Sequence, residues 1–201
     1  MLTQEEIAMV ETLAAEYGYE AQTLRAIIDI ESGGRTHVLV DGGKKPLIRF
    51  EGHWFDRLLA PEDRQVARAA FLSASRPGAI RNPREQKDRW RMLARACALN
   101  ETAALSATSW GVGQVMGFHW KVLGFVSVQE LRDQACENFE GQMRLMLRFL
   151  SFNDLDKVLL RRDWEGFARA YNGPAYRKNS YHLRLARAHE RFAKRATGAP
   201  R

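Results

Sequence analysis

Apolar side chains recur at intervals of three and four along most of this chain, which is the spacing of one helix face. They predict a first helix from about Gln4 to Tyr17, opened by Thr3 and Glu6 in a capping-box pattern. A second runs from about Ala21 to Glu31 and is stopped by Gly33-Gly34. Between Val38 and Phe50 the period changes. Val38-Leu39-Val40 and Leu47-Ile48-Arg49-Phe50 read as two short strands around the Gly-rich turn Asp41–Pro46. Beyond them a helix starts near Glu51 and carries Trp54, Phe55 and Leu58, and Pro61 and Pro83 read as first-turn helix residues, the latter with Asn82 as N-cap. Residues 72–82 read as a flexible loop. Thr108 or Ser109 caps a short helix ending near Gly117, and Ser127 with Glu130 opens a long helical segment to about Leu150. Asp163 caps a helix that Gly173-Pro174 ends, and a basic helix closes the chain at about 180–196. The pattern is that of a mainly α fold with one small hairpin after the second helix. With no repeat and no linker composition, residues 1–201 read as one domain.

Charge changes the picture at one end only. Residues 177–201 carry Arg177, Lys178, Arg184, Arg187, Arg191, Lys194, Arg195 and Arg201 against Glu190 alone, so the net charge of +7 sits there and residues 1–176 are formally neutral. Such a tail points to an anionic surface: lipid headgroups, lipopolysaccharide or nucleic acid. Its basic face lacks zinc-finger and RNA-recognition patterns, so nucleic acid is not the expected partner. No apolar run approaches the roughly 18 residues of a membrane-spanning helix. The N-terminal Met-Leu-Thr-Gln-Glu-Glu lacks the basic and apolar regions of a secretory signal, which predicts a chain kept in the cytoplasm until another system releases it. Cys97 and Cys136 form neither a disulfide framework nor a metal-ligand spacing, and Cys97 falls on a helix face with Trp90 and Leu93. No metal or cofactor is expected.

The most informative residue is Glu31. It follows Leu24, Ile27 and Ile28 on one helix face, so the helix aims an acid where its neighbours are apolar. A carboxyl against apolar walls resists ionisation, the state a general acid needs near neutral pH. Three segments complement it. Arg49-Phe50-Glu51-Gly52-His53-Trp54-Phe55 offers a second carboxylate, Glu51, among aromatics, and Asp41 in the turn is its rival. Ser109-Trp110-Gly111-Val112-Gly113-Gln114-Val115-Met116-Gly117 places glycines where something approaches the backbone closely, with Gln114 able to donate and accept. Ala170-Tyr171-Asn172-Gly173-Pro174-Ala175-Tyr176, continuing to Tyr181, supplies rings with polar tips that suit sugar faces.

These motifs, in this order, resemble the N-acetylmuramidase domain of bacteriophage endolysins over roughly residues 5–195. That family is a branch of the lysozyme-like superfamily, so the resemblance implies a helical domain whose helix-end Glu faces a small hairpin across a sugar cleft. It implies Glu31 as general acid and, less strongly, Glu51 in support. The expected substrate is peptidoglycan glycan, cut at the β-1,4 bond between N-acetylmuramic acid and N-acetylglucosamine. Asp41, Ser109, Trp110, Gln114, Met116, Tyr171, Asn172 and Tyr176 are the expected substrate-binding residues. The chain is expected to act as a monomer, held in the host cytoplasm until released to the periplasm, with its basic helix contacting lipopolysaccharide or anionic membrane. A lytic transglycosylase of the same fold, which makes 1,6-anhydro products, shares the Glu-Ser, Gly-X-X-Gln and Ala-Tyr-Asn motifs. A non-catalytic binder of an anionic polymer is the reading from another class.

Overall fold

Thr3 opens the first helix as its sequence pattern requires: its hydroxyl accepts from the Glu6 amide at 3.1 Å, and the Glu6 carboxylate accepts from the Thr3 amide at 2.8 Å. The computed structural model describes residues 1–196, so Arg201 of the basic tail lies outside the described residues. In chain order the elements are α1 (Gln4–Tyr17), α2 (Ala21–Ser32), β1 (Val38–Val40), β2 (Gly43–Lys45), β3 (Ile48–Phe50), α3 (Gly52–Leu58), α4 (Pro61–Ala69), α5 (Gln86–Ser106), β4 (Thr108–Trp110) and β5 (Val115–Met116). They continue with α6 (Val128–Glu137), α7 (Phe139–Phe152), α8 (Leu155–Leu160), α9 (Trp164–Asn172) and α10 (Tyr181–Ala196). The fold is mainly helical, as the periodicity predicts. No helix among the described residues is long and apolar enough to cross a membrane.

The chain forms two compact units. One joins Met1–Arg35 to the described residues from Met146 onward, and the other is Thr36–Leu145. In the first, α2 packs between α1 and α10. Val10 and Leu13 of α1, Leu24, Ile27 and Ile28 of α2, Phe167 of α9, and Leu185 and Phe192 of α10 are buried. The start of α2 is tied down by Glu20, whose carboxylate accepts from Arg162 at 2.7 Å and lies 2.9 Å from His189 Nε2 of α10.

The second unit holds both sheets, and here the structure corrects the sequence reading. β1 pairs with β2, not with Ile48–Phe50. The turn between them is the two residues Asp41 (φ 50°) and Gly42 (φ 80°), the left-handed pair that matches a hairpin's twist. β3 instead pairs with β4, and β4 with β5, in a three-stranded antiparallel sheet. The short helix expected over Ser109–Gly117 is therefore a second hairpin, because Gly111 (φ 68°) and Gln114 (φ 47°) adopt left-handed conformations that no helix accommodates. Asn82 does not cap a helix at Pro83, since α5 begins only at Gln86. Its side chain bonds the Phe50 amide and carbonyl at 3.0 and 2.6 Å, while Gln86 accepts from the Ile48 amide and Arg89 donates to the Ile48 carbonyl. Side chains thus occupy the outer edge of β3, where another strand would otherwise pair.

The long segment expected from Ser127 to Leu150 is broken at Asn138, whose backbone is extended (φ −165°, ψ −175°). Ser127 still caps α6, but Glu130 bonds the Val126 amide rather than that of Ser127. Residues 72–82 are irregular but anchored: Leu72 and Ser73 are buried, and the Ser73 hydroxyl donates to Asp56 at 3.0 Å. Asp56 also receives a two-pronged bond from Arg68 at 2.7 and 2.8 Å, joining α3 to α4.

Candidate active site

Glu31 stands in the last turn of α2. Gly33 ends the helix in the left-handed conformation (φ 64°), with its amide donating to the Asp29 carbonyl. The Ser32 hydroxyl donates to the Ile28 carbonyl at 2.9 Å and fixes the same turn. Part of Glu31 remains open to solvent, yet burial around its carboxyl pushes the pKa up to about 7. A hydrogen bond from Tyr181 and the charge of Arg184 act in the opposite direction without cancelling that rise. The Tyr181 hydroxyl donates to Glu31 Oε1 at 2.5 Å.

Tyr181 is the first residue of α10 and is buried, so its hydroxyl needs a partner inside the protein. Its pKa is driven well above the ordinary tyrosine value by burial first and then by the Glu31 charge. It therefore stays a donor across the working pH range. Tyr171, near the end of α9, feels the same pair of influences in the same order. Its ring stacks on Phe167 at 4.9 Å and meets Phe149 edge-on at 5.4 Å. Asn172, the last residue of α9, is exposed. Within this unit the structure thus brings Glu31, Tyr171, Tyr181 and Arg184 into electrostatic contact. The periodic pattern marks the first of these. Tyr181 was legible only as an aromatic continuing the Tyr171 segment, and Arg184 only as one cation of the tail.

Tyr176 departs from its expected place on an open sugar-binding surface. It is 3% exposed, and its hydroxyl donates to Glu165 Oε1 at 2.5 Å and accepts from Arg177 Nε at 2.9 Å. Those two partners hold the Glu165 carboxyl down at about 2. The residue locks the turn after α9.

In the other unit, Glu51 is the N-cap residue of α3 but makes no capping bond. Its Oε1 accepts from Arg49 Nε at 2.6 Å, and its Oε2 lies 3.5 Å from His53 Nδ1 without hydrogen-bond geometry. Burial holds the His53 pKa below its usual value, against the pull of Glu51. Asp41 is exposed at the hairpin tip. Ser109 and Gln114 are joined directly, Ser109 Oγ donating to Gln114 Oε1 at 2.9 Å, and Gln114 Nε2 donates to the Gly111 carbonyl at 2.8 Å. Met116, on β5, is half-buried.

Trp110 also departs from expectation. It is 1% exposed, its indole N–H donates to the Leu105 carbonyl at 3.2 Å, and its ring packs edge-on against Trp90. It is a core residue. The glycines around it serve close packing: a Cβ on Gly117 would sit 2.2 Å from the Leu105 carbonyl oxygen, and one on Gly111 2.9 Å from Gln142 Cγ. Among the described residues no group of three His, Cys, Asp or Glu side chains could hold a metal ion.

The chain matches the Muramidase family, described as N-acetylmuramidase, over residues 20–193. Among solved structures it is similar to the Burkholderia AP3 phage endolysin, with 30% identity and a TM-score of 0.78 over 94% of this chain and 71% of that one. No curated protein matches it. The family match takes in Glu31, both hairpins and most of α10, so the resemblance carried by the sequence motifs is borne out: this chain belongs to the N-acetylmuramidase family and is a peptidoglycan hydrolase.

Proposed function

We propose that this enzyme hydrolyses the β-1,4 bond between N-acetylmuramic acid and N-acetylglucosamine, with Glu31 as the general acid. The observation that carries the proposal is the buried Glu31 carboxyl, raised to about 7 and held through one oxygen by Tyr181. With Oε1 accepting from Tyr181, the acid proton sits on Oε2. From there it passes to the glycosidic oxygen as the bond to the anomeric carbon breaks. Positive charge then develops on the sugar, and a carboxylate stabilises it or orients the attacking water.

Glu51 is our first choice for that carboxylate, because Arg49 holds its Oε1 in place at 2.6 Å, and Asp41 is the second. Gln114 and Ser109, already tied to each other, and Met116, Tyr171 and Asn172 are proposed to contact the glycan. We further propose that the exposed bases of the C-terminal segment contact lipopolysaccharide or anionic membrane, and that the enzyme acts as a monomer released from the host cytoplasm to the wall.

Digestion of purified Gram-negative peptidoglycan followed by mass spectrometry tests the reaction. Products with a reducing N-acetylmuramic acid end are the expected result. Products lighter by one water, with a 1,6-anhydro end, would assign a lytic transglycosylase and leave Glu51 without a chemical role. No products from folded protein would favour a binding module.

A further inference from the structure

On the α2–α10 side of the first unit, three guanidinium groups gather around the ring of Phe192. Arg25, Arg191 and Arg195 place their Cζ atoms 4.6, 5.1 and 6.0 Å from its centroid. All three line a cavity of about 380 Å³ whose apolar wall includes Phe192 and Ile28. The carboxylate paired within this group is Asp29, and it goes to Arg191 at 2.6 Å. Arg25 Nε is buried and has no hydrogen-bond partner. Glu11 supports the Arg25 charge, but burial and the nearby Arg195 oppose it, burial most strongly. Like charges are thus held close together around a half-open space, beside a buried donor that has no partner. An anion placed among them would offset that repulsion.

We propose that this cavity binds a phosphomonoester carried on a sugar or a lipid headgroup. Guanidinium forks match phosphate oxygens two at a time, which a lysine ammonium does not. The volume falls within the range of small-molecule sites and exceeds what a bare phosphate ion fills. Phe192 and Ile28 give the carrier an apolar face to rest on. Arg191 is already neutralised by Asp29, so Arg25 and Arg195 supply the positive charge that the phosphate answers. Arg25 and Asp29 lie on a different face of α2 from Glu31, although Ile28 borders both, and the proposal does not depend on the reaction assigned to Glu31.

The test is calorimetric titration of the full chain with glucose 6-phosphate, with glucose as control, beside flotation with phosphatidylcholine vesicles containing phosphatidic acid. Arg25→Gln and Arg195→Gln are each expected to weaken binding about tenfold, the loss of one charge-assisted contact, while leaving wall hydrolysis intact. Binding of glucose 6-phosphate would identify a soluble phosphosugar as a sufficient ligand. Binding of the vesicles alone, abolished by the same substitutions, would place the phosphate on a membrane. No binding to either, or binding undiminished in both variants, would overturn the proposal.

Discussion

Tyr181 donates to Glu31 Oε1 at 2.5 Å across 150 residues of chain, so the first residue of the last helix addresses the last turn of the second. The bond favours the ionised carboxylate, whereas the surrounding burial favours the protonated acid, and burial is the larger influence. Glu31→Gln is expected to lower wall hydrolysis by about a thousandfold, the scale of a lost general acid, while remaining folded. Zymography and circular dichroism check this together. A folded variant with substantial activity would sink the role given to Glu31.

Tyr181→Phe separates positioning from simple packing. Removing the donor leaves only the Arg184 charge against burial, so the Glu31 pKa is expected to rise further above 7. With Glu31 as the acid, activity of the parent is expected to fall as pH rises through about 7. In the variant that falling limb should move upward by about one pH unit. A loss of rate with an unmoved limb would mean that the phenol only fills space.

The same raised pKa has a cost in stability. An unfolded Glu ionises near its ordinary value while the folded one still holds its proton, so folding free energy is lost as pH rises from about 4.5 towards 7. Glu31→Gln should therefore be the more stable protein above pH 7, by about 3 kcal/mol, with the gap closing on acidification. Denaturant titrations at several pH values measure it.

Asp56 makes the opposite case. Arg68 first, and Ser73 after it, hold its carboxyl below the usual range. That contribution is present above the unfolded pKa of roughly 3.9 and disappears as pH falls through the lower folded value. Asp56→Asn should cost about 2 kcal/mol at neutral pH and much less in acid. A constant cost at every pH would show that shape, rather than charge, is lost.

Gly117 and Gly18 test why glycines occur here. A methyl on Gly117 meets the Leu105 backbone, which cannot move aside, so Gly117→Ala should cost about 2 kcal/mol or more. Gly18 has φ 74° and open space around it, so Gly18→Ala should cost about 1 kcal/mol, the price of a left-handed alanine. Thermal melts rank the two.

The helices were legible wherever side chains cap their own backbone. Thr3 with Glu6, Asp163, and the paired Gly33-Gly34 mark helix ends through contacts within a few residues. The Glu31 face was legible because periodicity and burial coincide there. The three-stranded sheet was not, because β3 and β4 lie far apart in sequence and their strands are only three residues long. Ser109 read as a helix cap for the same reason: its strand partner is Arg49, which no local pattern reveals. Trp110 and Tyr176 looked like sugar platforms because an aromatic with a polar tip reads alike in a cleft and in a core. What separates them is the partner each finds, the Leu105 carbonyl for the Trp110 indole and Glu165 for the Tyr176 hydroxyl, which the residue types alone do not reveal.

The C-terminal segment holds more than its bases. Deleting residues 177–201 would also remove Tyr181, so it cannot test surface contact alone. Lys178→Gln with Arg187→Gln neutralises two exposed positions and leaves the buried face of α10 whole. That pair should reduce killing of intact cells several-fold more than digestion of purified wall. Equal effects in both assays would remove the case for surface contact.

The unit that holds Glu31 is discontinuous in sequence, with its two parts separated by the whole of Thr36–Leu145. During synthesis the acid leaves the ribosome early, and its tyrosine partner follows 150 residues later. At about 5–20 residues per second that delay is roughly 8–30 seconds. Through that interval Tyr181 is not there to bury or bond the carboxyl. On the role proposed for Glu31, the acid is therefore complete only when α10 has been made, which keeps a wall-degrading activity back until the end of synthesis.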